Sequence, residues 1–378
     1  MKIYDVVVVG GGLAGLTSAL HLTKQGFQIL VIEKNEYPNH KVCGEYVSNE
    51  VRPYLSYLGV DFNSKNSIEI DTLQMSTRSG KSIETKLPLG GFGISRYALD
   101  NMLYNTAKDK EVSFLFETVS SIIFDNDSFE VTVSSSEKYK SRIVIGAYGK
   151  RSGLDKKLNR KFILQKSPWL GVKCHYEFDN FPSNLVALHN FKGGYGGLSK
   201  IENGAINFCY LANFESFKLF NSIKEFNQHI VSQNPFLKEF LDKASPKFKK
   251  PLSIAQISFE KKRTVENHVI MCGDSAGLIH PLCGNGMAMA IHSAKIASDC
   301  ITDYLNSKNA DRNSLENKYA LLWREEFEAR LRMGRIIQRL LMNNTVSEMA
   351  IGTIAKSEKI LQTMIKRTHG SPILVKCS

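Results

Sequence analysis

The 378-residue sequence has no apolar run approaching the ~18–20 residues needed to span a bilayer, so no membrane-crossing segment is expected. It has no run of five or more Lys/Arg and no nucleic-acid motif, which argues against a DNA or RNA partner despite a net charge of +12. Its seven cysteines are scattered and odd in number, and none forms C-x-x-C. They read as small buried hydrophobes in a reducing compartment. Cys and His nowhere take up metal-ligand spacing, so no metal site is expected. No charged n-region or cleavage site precedes the first strand, so a signal peptide is not expected and a cytoplasmic protein is the default. Internal repeats, low-complexity tracts and long linkers are also missing.

What the chain does have is apolar bulk and two glycine clusters. At 43% hydrophobic residues it can bury a large core, and its length suggests two or more domains. Residues 3–9 (IYDVVVV) read as a strand buried on both faces. GGGLAG follows, then a helix from about Leu13 to Gln25 that stops at Gly26, then FQILVIEK as the next strand. Gly10, Gly12 and Gly15 thus form G-x-G-x-x-G between a strand and a helix, with Glu33 closing the following strand. In that setting Gly10 permits the tight turn, Gly12 lets a pyrophosphate approach the backbone, and Gly15 lets helix and strand pack closely. The helix start offers unpaired N–H groups and a positive dipole end to phosphates. Glu33 suits a ribose 2′-OH and would repel a 2′-phosphate. By itself this unit fits NAD or FAD.

Further along, residues 67–87 read as a hairpin around Ser79–Gly80, and SRYALDNMLYNTAKD as a helix with Ser95 as its N-cap. Residues 168–260 are strand-rich with a helical insert near 221–242, and 284–365 are mostly helical. The second glycine cluster, CGDSAGLIHPLCGNGM (Cys272–Met287), follows the strand-like HVIM. It resembles the second FAD-binding motif of flavoprotein hydroxylases and their relatives. The resemblance implies that Asp274 binds the ribityl chain. It implies that Gly284 and Gly286 clear space for a flat ring, and that Asn285 and Met287 present backbone N–H groups to it at a helix start. His280 would orient the loop. Arg96 in SRYALDNML resembles that family's R-x-x-L/F-D-x-x-L helix, whose Arg contacts the flavin nucleotide. KVCGE (Lys41–Glu45) is similar to the K-x-C-G segment of geranylgeranyl reductases, beside flavin and substrate cavity. Leu13, Ala14, Lys34 and Val119 complete the cofactor-binding set implied over roughly residues 1–300.

One motif departs from the family. GAYGKRS (Gly146–Ser152) occupies the place of G-A-D-G-x-x-S, with Tyr148 where an Asp linked to FAD and NAD(P)H interactions would stand. The electron donor is therefore NAD(P)H or a separate reductase or ferredoxin. The halogenase signature W-x-W-x-I-P is absent. Gly193, Gly194, Gly196 and Gly197 flank Tyr195, which is either a proton donor or stacking residue or a structural tyrosine at a strand kink. Cys43 is the other catalytic candidate, a proton donor or a small wall residue. Lys173, His175 and His189 read as structural strand residues.

The expected fold is α/β: a glutathione-reductase-type, Rossmann-like FAD-binding domain interleaved with a β-rich substrate domain, plus C-terminal helices. The expected boundaries are 1–66 with 95–167 and 261–306 for the FAD domain, 67–94 with 168–260 for the substrate domain, and 307–378 for the helical region. The expected activity is FAD-dependent reduction of a C=C bond in an apolar, isoprenoid-like substrate. A monooxygenase acting on an aromatic or polyketide-like substrate is the alternative, and a flavin-fold binding protein without turnover is the third reading. Residues 312–378 hold 12 Lys/Arg against 6 Asp/Glu, and Arg324, Arg330, Arg332, Arg335 and Arg339 crowd one segment. That pattern is an exposed basic helix face or a peripheral membrane contact.

Overall fold

The computed structural model describes residues 3–60, 62, 67–279, 284–309, 311–342 and 358–375. The reading of His280 falls outside them. Two sheets organise the chain. The first has a parallel centre, in which β1 (Ile3–Val9) lies between β2 (Ile29–Ile32) and β9 (Lys138–Gly146), with Val6 opposite both Ile29 and Ile143. Strand β6 (Ser113–Leu115) flanks β2, and β17 (Val269–Met271) flanks β9, both parallel. The short β16 (Val265–Glu266) closes that edge, and the hairpin of β7 (Val119–Asp125) and β8 (Ser128–Val133) joins at β9. Strands β1 and β2 carry near-continuous Val/Ile/Leu because they are covered on both faces. Helix α1 (Leu13–Lys24) packs against α3 (Arg96–Asp109) and the long α8 (Gly286–Asn306). Ser95 caps α3 through its side chain, as its sequence suggests.

The second sheet runs β14–β10–β13–β12–β11–β4–β5–β3, with β15 also on β10. Its members are β3 (Tyr46–Ser48), β4 (Ile68–Ser76), β5 (Ser82–Gly93), β10 (Trp169–Glu177), β11 (Leu185–Phe191), β12 (Gly194–Lys200), β13 (Ile206–Asn213), β14 (Ser245–Pro246) and β15 (Leu252–Ala255). Strand β11 pairs with β4 in parallel and the other pairs are antiparallel. The period of two gives each strand two faces. Ile206, Phe208, Tyr210 and Ala212 of β13 pack under the helical insert on Phe226, Leu237 and Phe240. Asn207, Cys209 and Leu211 therefore point to the opposite face. Residue 45 closes a loop of the first domain and residue 46 begins β3 of the second sheet, so the two are interleaved within single residues.

The described tail consists of α9 (Arg312–Met342) and, further on, α10 (Glu358–Thr368) with an extended strap, 369–375. The strap returns to the start of the chain. Glu50 accepts from Gly370 N through its carboxylate, and its carbonyl accepts from Ile373 N at 2.8 Å. The side-chain amide of Asn285, at the start of α8, donates to Thr368 O at 3.1 Å. One arginine of the basic segment departs from the exposed face expected of it. Arg330 is no surface residue; it is 8% exposed, ion-paired to Glu326 and facing the buried Glu50. Arg324 and Arg332 do reach solvent. No helix among the described residues is long and apolar enough to cross a membrane.

Candidate functional site

The carboxyl ends of β1 and β2 meet the start of α1, where an open α/β sheet places its ligand. Gly10 adopts φ +104°, and a Cβ there would lie 2.5 Å from Ala147 O. A Cβ on Gly15 would collide with the carbonyl of Gly10. Both glycines are thus demanded by the protein itself. Gly12 is different. A Cβ there would meet only Arg96 Nη2 at 3.6 Å and Lys41 Nζ at 4.0 Å. The backbone of Gly12 therefore faces two cations across an open gap. No side chain caps α1 and no acid lies in its first turn, so the N–H groups at Leu13 and Ala14 keep their positive end uncompensated. Such an arrangement has the charge and space to suit a pyrophosphate.

The cations are held by one carboxylate. Asp100, 1% exposed, takes Arg96 Nε and Nη2 at 2.8 Å each and Lys41 Nζ at 2.9 Å. Burial alone would raise its pKa, but the charges of Arg96 and Lys41 outweigh that and hold it below the usual range. Glu33 accepts from Gly11 N at 2.7 Å, and its other oxygen faces Asn35 N at 3.3 Å. Tyr37 donates to Gly11 O at 2.6 Å and stacks on Tyr104 with centroids 4.4 Å apart. Lys34 is exposed beside them, and Val119 is buried at the start of β7. Nothing in the local sequence singles out Tyr37 or marks Lys41 as sharing the Asp100 carboxylate with Arg96.

The Lys41–Glu45 loop lies between the two sheets, and every one of its carbonyls is taken. Lys173 Nζ reaches Lys41 O at 3.1 Å, Lys150 Nζ reaches Val42 O at 3.1 Å, Asn207 Nδ2 reaches Cys43 O at 3.1 Å, and Ser199 Oγ reaches Gly44 O at 3.2 Å. Ile94 N takes Glu45 O at 3.1 Å. Beneath the loop Glu45 is fully buried in a left-handed conformation (φ +55°). Its carboxylate binds Lys173 Nζ at 2.5 Å, His175 Nε2 at 2.7 Å and Arg96 N at 2.7 Å. Burial opposes its charge, but the His175 hydrogen bond and the Lys173 charge hold its pKa below the usual value. Lys173 and His175 hold the loop that carries Cys43 through these bonds. A Cβ on Gly44 would have nothing within 4 Å.

Asp274 comes to the same groove from a short turn (Gly273–Ser275) after β17. Its carbonyl accepts from the buried Lys262 at 2.7 Å. Its carboxylate has no hydrogen-bond partner among the described residues and lies in the field of Arg96. Burial draws the Lys262 ammonium down to about 8. Gly284 (φ +63°) borders the ring of Tyr46, Asn285 precedes α8, Gly286 opens it, and Met287 is 5% exposed. Tyr148 points its hydroxyl at Met271 Sδ, 3.4 Å away.

Tyr195 stands apart from Cys43. In register, Ser199 faces Asn207 and Tyr195 faces Leu211, four residues further along β13. At ~3.4 Å per residue this is ~14 Å. Tyr195 is 3% exposed and shares an apolar cluster with Leu211, Ile257 and Leu278, against which Trp169 and Phe259 pack. The inner face of the second sheet is thus polar where it grips the Lys41–Glu45 loop and apolar around Tyr195.

An open backbone over two cations, an uncapped helix start and a free carboxylate in one groove suit a dinucleotide with a polyol arm. The sequence profile described as FAD binding domain matches residues 3–312. The chain belongs to that family. Among curated relatives, the digeranylgeranylglycerophospholipid reductase of Methanosarcina acetivorans is 25% identical, covering 90% of this chain and 85% of its own length. A menaquinone reductase of Mycobacterium tuberculosis is 23% identical over 79% and 76%. Among solved structures, the flavin-dependent brominase Bmp2 superposes with a TM-score of 0.80 at 16% identity, covering 97% of this chain and 93% of its own. A geranylgeranyl bacteriochlorophyll reductase-like protein of Thermoplasma acidophilum gives 0.73 at 19% identity, over 98% and 93%. The chain is an FAD-dependent oxidoreductase, and its two sheets and C-terminal helices have the fold of these flavoproteins.

Proposed function

We propose that this FAD-dependent oxidoreductase reduces a C=C bond in an apolar, isoprenoid-like substrate. The observation that carries the reading is the inner face of the second sheet. Tyr195, Leu211, Ile257 and Leu278 make an apolar wall on the same sheet face as the fixed loop that presents Cys43, ~14 Å further along it. In this reading Gly10, Gly12, Leu13, Ala14 and Gly15 hold the FAD pyrophosphate together with Arg96. Glu33 with Lys34 and Val119 lies at the adenosine end, Asp274 takes ribityl hydroxyls, and Gly284–Met287 border the ring. When bound, FAD supplies the two-electron change. The protein's residues do the rest. The apolar wall excludes water and orients the chain, and Cys43 Sγ or Tyr195 Oη carries the proton to the carbon.

The domain limits expected from the sequence remain part of this proposal, as does a peripheral membrane contact that gives access to an apolar substrate. Tyr148, in place of an acidic residue, favours electrons from a separate reductase or ferredoxin over direct delivery from NAD(P)H. The relative that reduces digeranylgeranylglycerophospholipid supports the substrate class. A monooxygenase is the second reading. It is favoured by the edge-to-face pair of Trp169 and Phe259, a surface suited to a flat aromatic. The test is anaerobic turnover by the FAD-loaded chain with dithionite and a geranylgeranyl lipid. Gain of two hydrogens per double bond, read by mass spectrometry without oxygen, supports reduction. Turnover only with oxygen, adding one oxygen atom to an aromatic substrate, refutes it for the second reading.

A further inference from the structure

Residues 156–166, KKLNRKFILQK, hold four lysines, one arginine and no acid. Arg160 is turned inward, 1% exposed and paired with Asp155 at 3.0 Å. Lys156, Lys157, Lys161 and Lys166 all reach solvent. Leu164 stands among them with 83% of its surface exposed, more than any other large apolar side chain of the described residues. A core-forming role cannot account for a leucine placed there.

This segment is one lip of an open cleft of about 220 Å³, lined among others by Gln165, Lys166, Trp169, Phe259, Glu260 and Arg335. On the far lip, α9 contributes Arg335 with Arg332 one turn before it, and the half-exposed Ile336 directly follows Arg335. Glu260 is the acid on the cleft wall, against Lys166 and Arg335. Inside, Trp169 and Phe259 meet edge to face with centroids 6.3 Å apart, and both pack on the cluster of Tyr195, Leu211, Ile257 and Leu278. The cleft therefore leads from a basic rim with a bare leucine to the apolar wall of the second sheet.

We propose that this rim docks on an anionic lipid surface. Leu164 enters the interface, Lys161, Lys166 and Arg335 face the headgroups, and a lipid-borne chain passes to Trp169 and Phe259 without crossing water. The inference rests on the apolar substrate proposed above. Cations ringing an exposed aliphatic side chain are complementary to a bilayer boundary, which offers negative charge outside and hydrocarbon just beneath. An acidic protein would match the lysines but would not need Leu164 bare at their centre.

The test uses the FAD-loaded full chain and vesicles of phosphatidylcholine alone or mixed with phosphatidylglycerol. Expected is salt-sensitive sedimentation with the mixed vesicles and none with the neutral ones. Leu164→Asp lowers binding about tenfold or more. The double variant Lys161→Glu, Lys166→Glu lowers it at least ~25-fold, at about fivefold per lost lysine. Arg324→Gln, on the exposed part of α9, binds as the parent does. Thermal unfolding and turnover of a detergent-dispersed substrate are unchanged in all of them. Vesicle binding with this dependence upholds the docking surface even where the parent turns over no dispersed substrate, an outcome that would count against the proposed reaction alone. Absence of binding to the mixed vesicles at low salt overturns the proposal. So does binding that Leu164→Asp and the lysine double variant leave intact, or capture of an acidic protein that Leu164→Asp does not disturb in a chain that ignores vesicles.

Discussion

Replacing Glu45 by Gln changes one atom in the most crowded electrostatic site of the molecule. The side chain is fully buried, and its carboxylate neutralises Lys173, itself fully buried, while holding His175 and the first amide of α3. Glutamine keeps the shape and one acceptor but leaves the ammonium of Lys173 without a counter-charge. Removing one partner of a buried pair costs about 3–5 kcal/mol. At roughly 2 cal/mol/K per residue, a chain of 378 residues converts that to a fall of about 4–6 °C in unfolding temperature. Replacing both members, Glu45→Gln with Lys173→Met, recovers most of the loss, because no uncompensated charge remains. Calorimetry on the apo-protein reads the stability, and a flavin titration reads the effect on the adjoining Arg96. If Glu45→Gln shifts the unfolding temperature by less than 1 °C, or the double variant is no better than the single one, the ion cluster does not anchor the loop.

Three further outcomes are expected. Asp274→Ala removes a charged acceptor for sugar hydroxyls, worth about 1.5–3 kcal/mol, and weakens FAD binding by roughly 10- to 150-fold; unchanged flavin content at low free FAD refutes its assignment. Gly370→Ala places a Cβ against the Glu50 carboxylate and 2.8 Å from Arg330 Nη1, an overpacking cost of about 1–3 kcal/mol. Limited proteolysis should then cut the strap, and a cleavage pattern identical to the parent's would show the contact to be dispensable. His21 and His189 are drawn down to about 4 by burial, so the unfolded chain binds protons first as the pH falls below 6.5. Their contribution to stability is complete above that pH and is lost towards pH 4, with a slope of up to ~1.4 kcal/mol per pH unit each. A flat unfolding temperature from pH 7 to pH 4.5 contradicts it.

The glycine clusters were legible in the sequence because the constraints are local. Gly10 and Gly15 are fixed by atoms of the neighbouring strand ends and leave no choice of side chain. Asp274 stood out as the one carboxylate in a stretch of small residues, and the structure sets it in the field of Arg96, while its part in ligand binding belongs to the proposal. Glu45 with Lys173 and His175 was not, because 128 and 130 positions separate the partners and a lysine on a strand carries no mark of its counter-ion. Arg330 misled for a related reason. Helical spacing placed it among basic neighbours, and nothing nearby in sequence announced that Glu50 waits inside. Residues 156–166 escaped notice because their charge is interrupted by apolar positions, which only burial sorts into inward Phe162 and outward Leu164.

The strap from residue 369 onward ties Gly370 to Glu50 across 320 positions of chain. During synthesis Glu50 and Asn285 leave the ribosome long before their last partners exist. For that interval the start of α8 lacks the contact that Thr368 provides, and the Glu50 carboxylate lacks the amide of Gly370. Contacts of such span are among the last a chain can close. A clasp of this span closes only after the elements it joins have found their nearer partners, so its loss would leave the two sheets paired and free the start of α8 from Thr368.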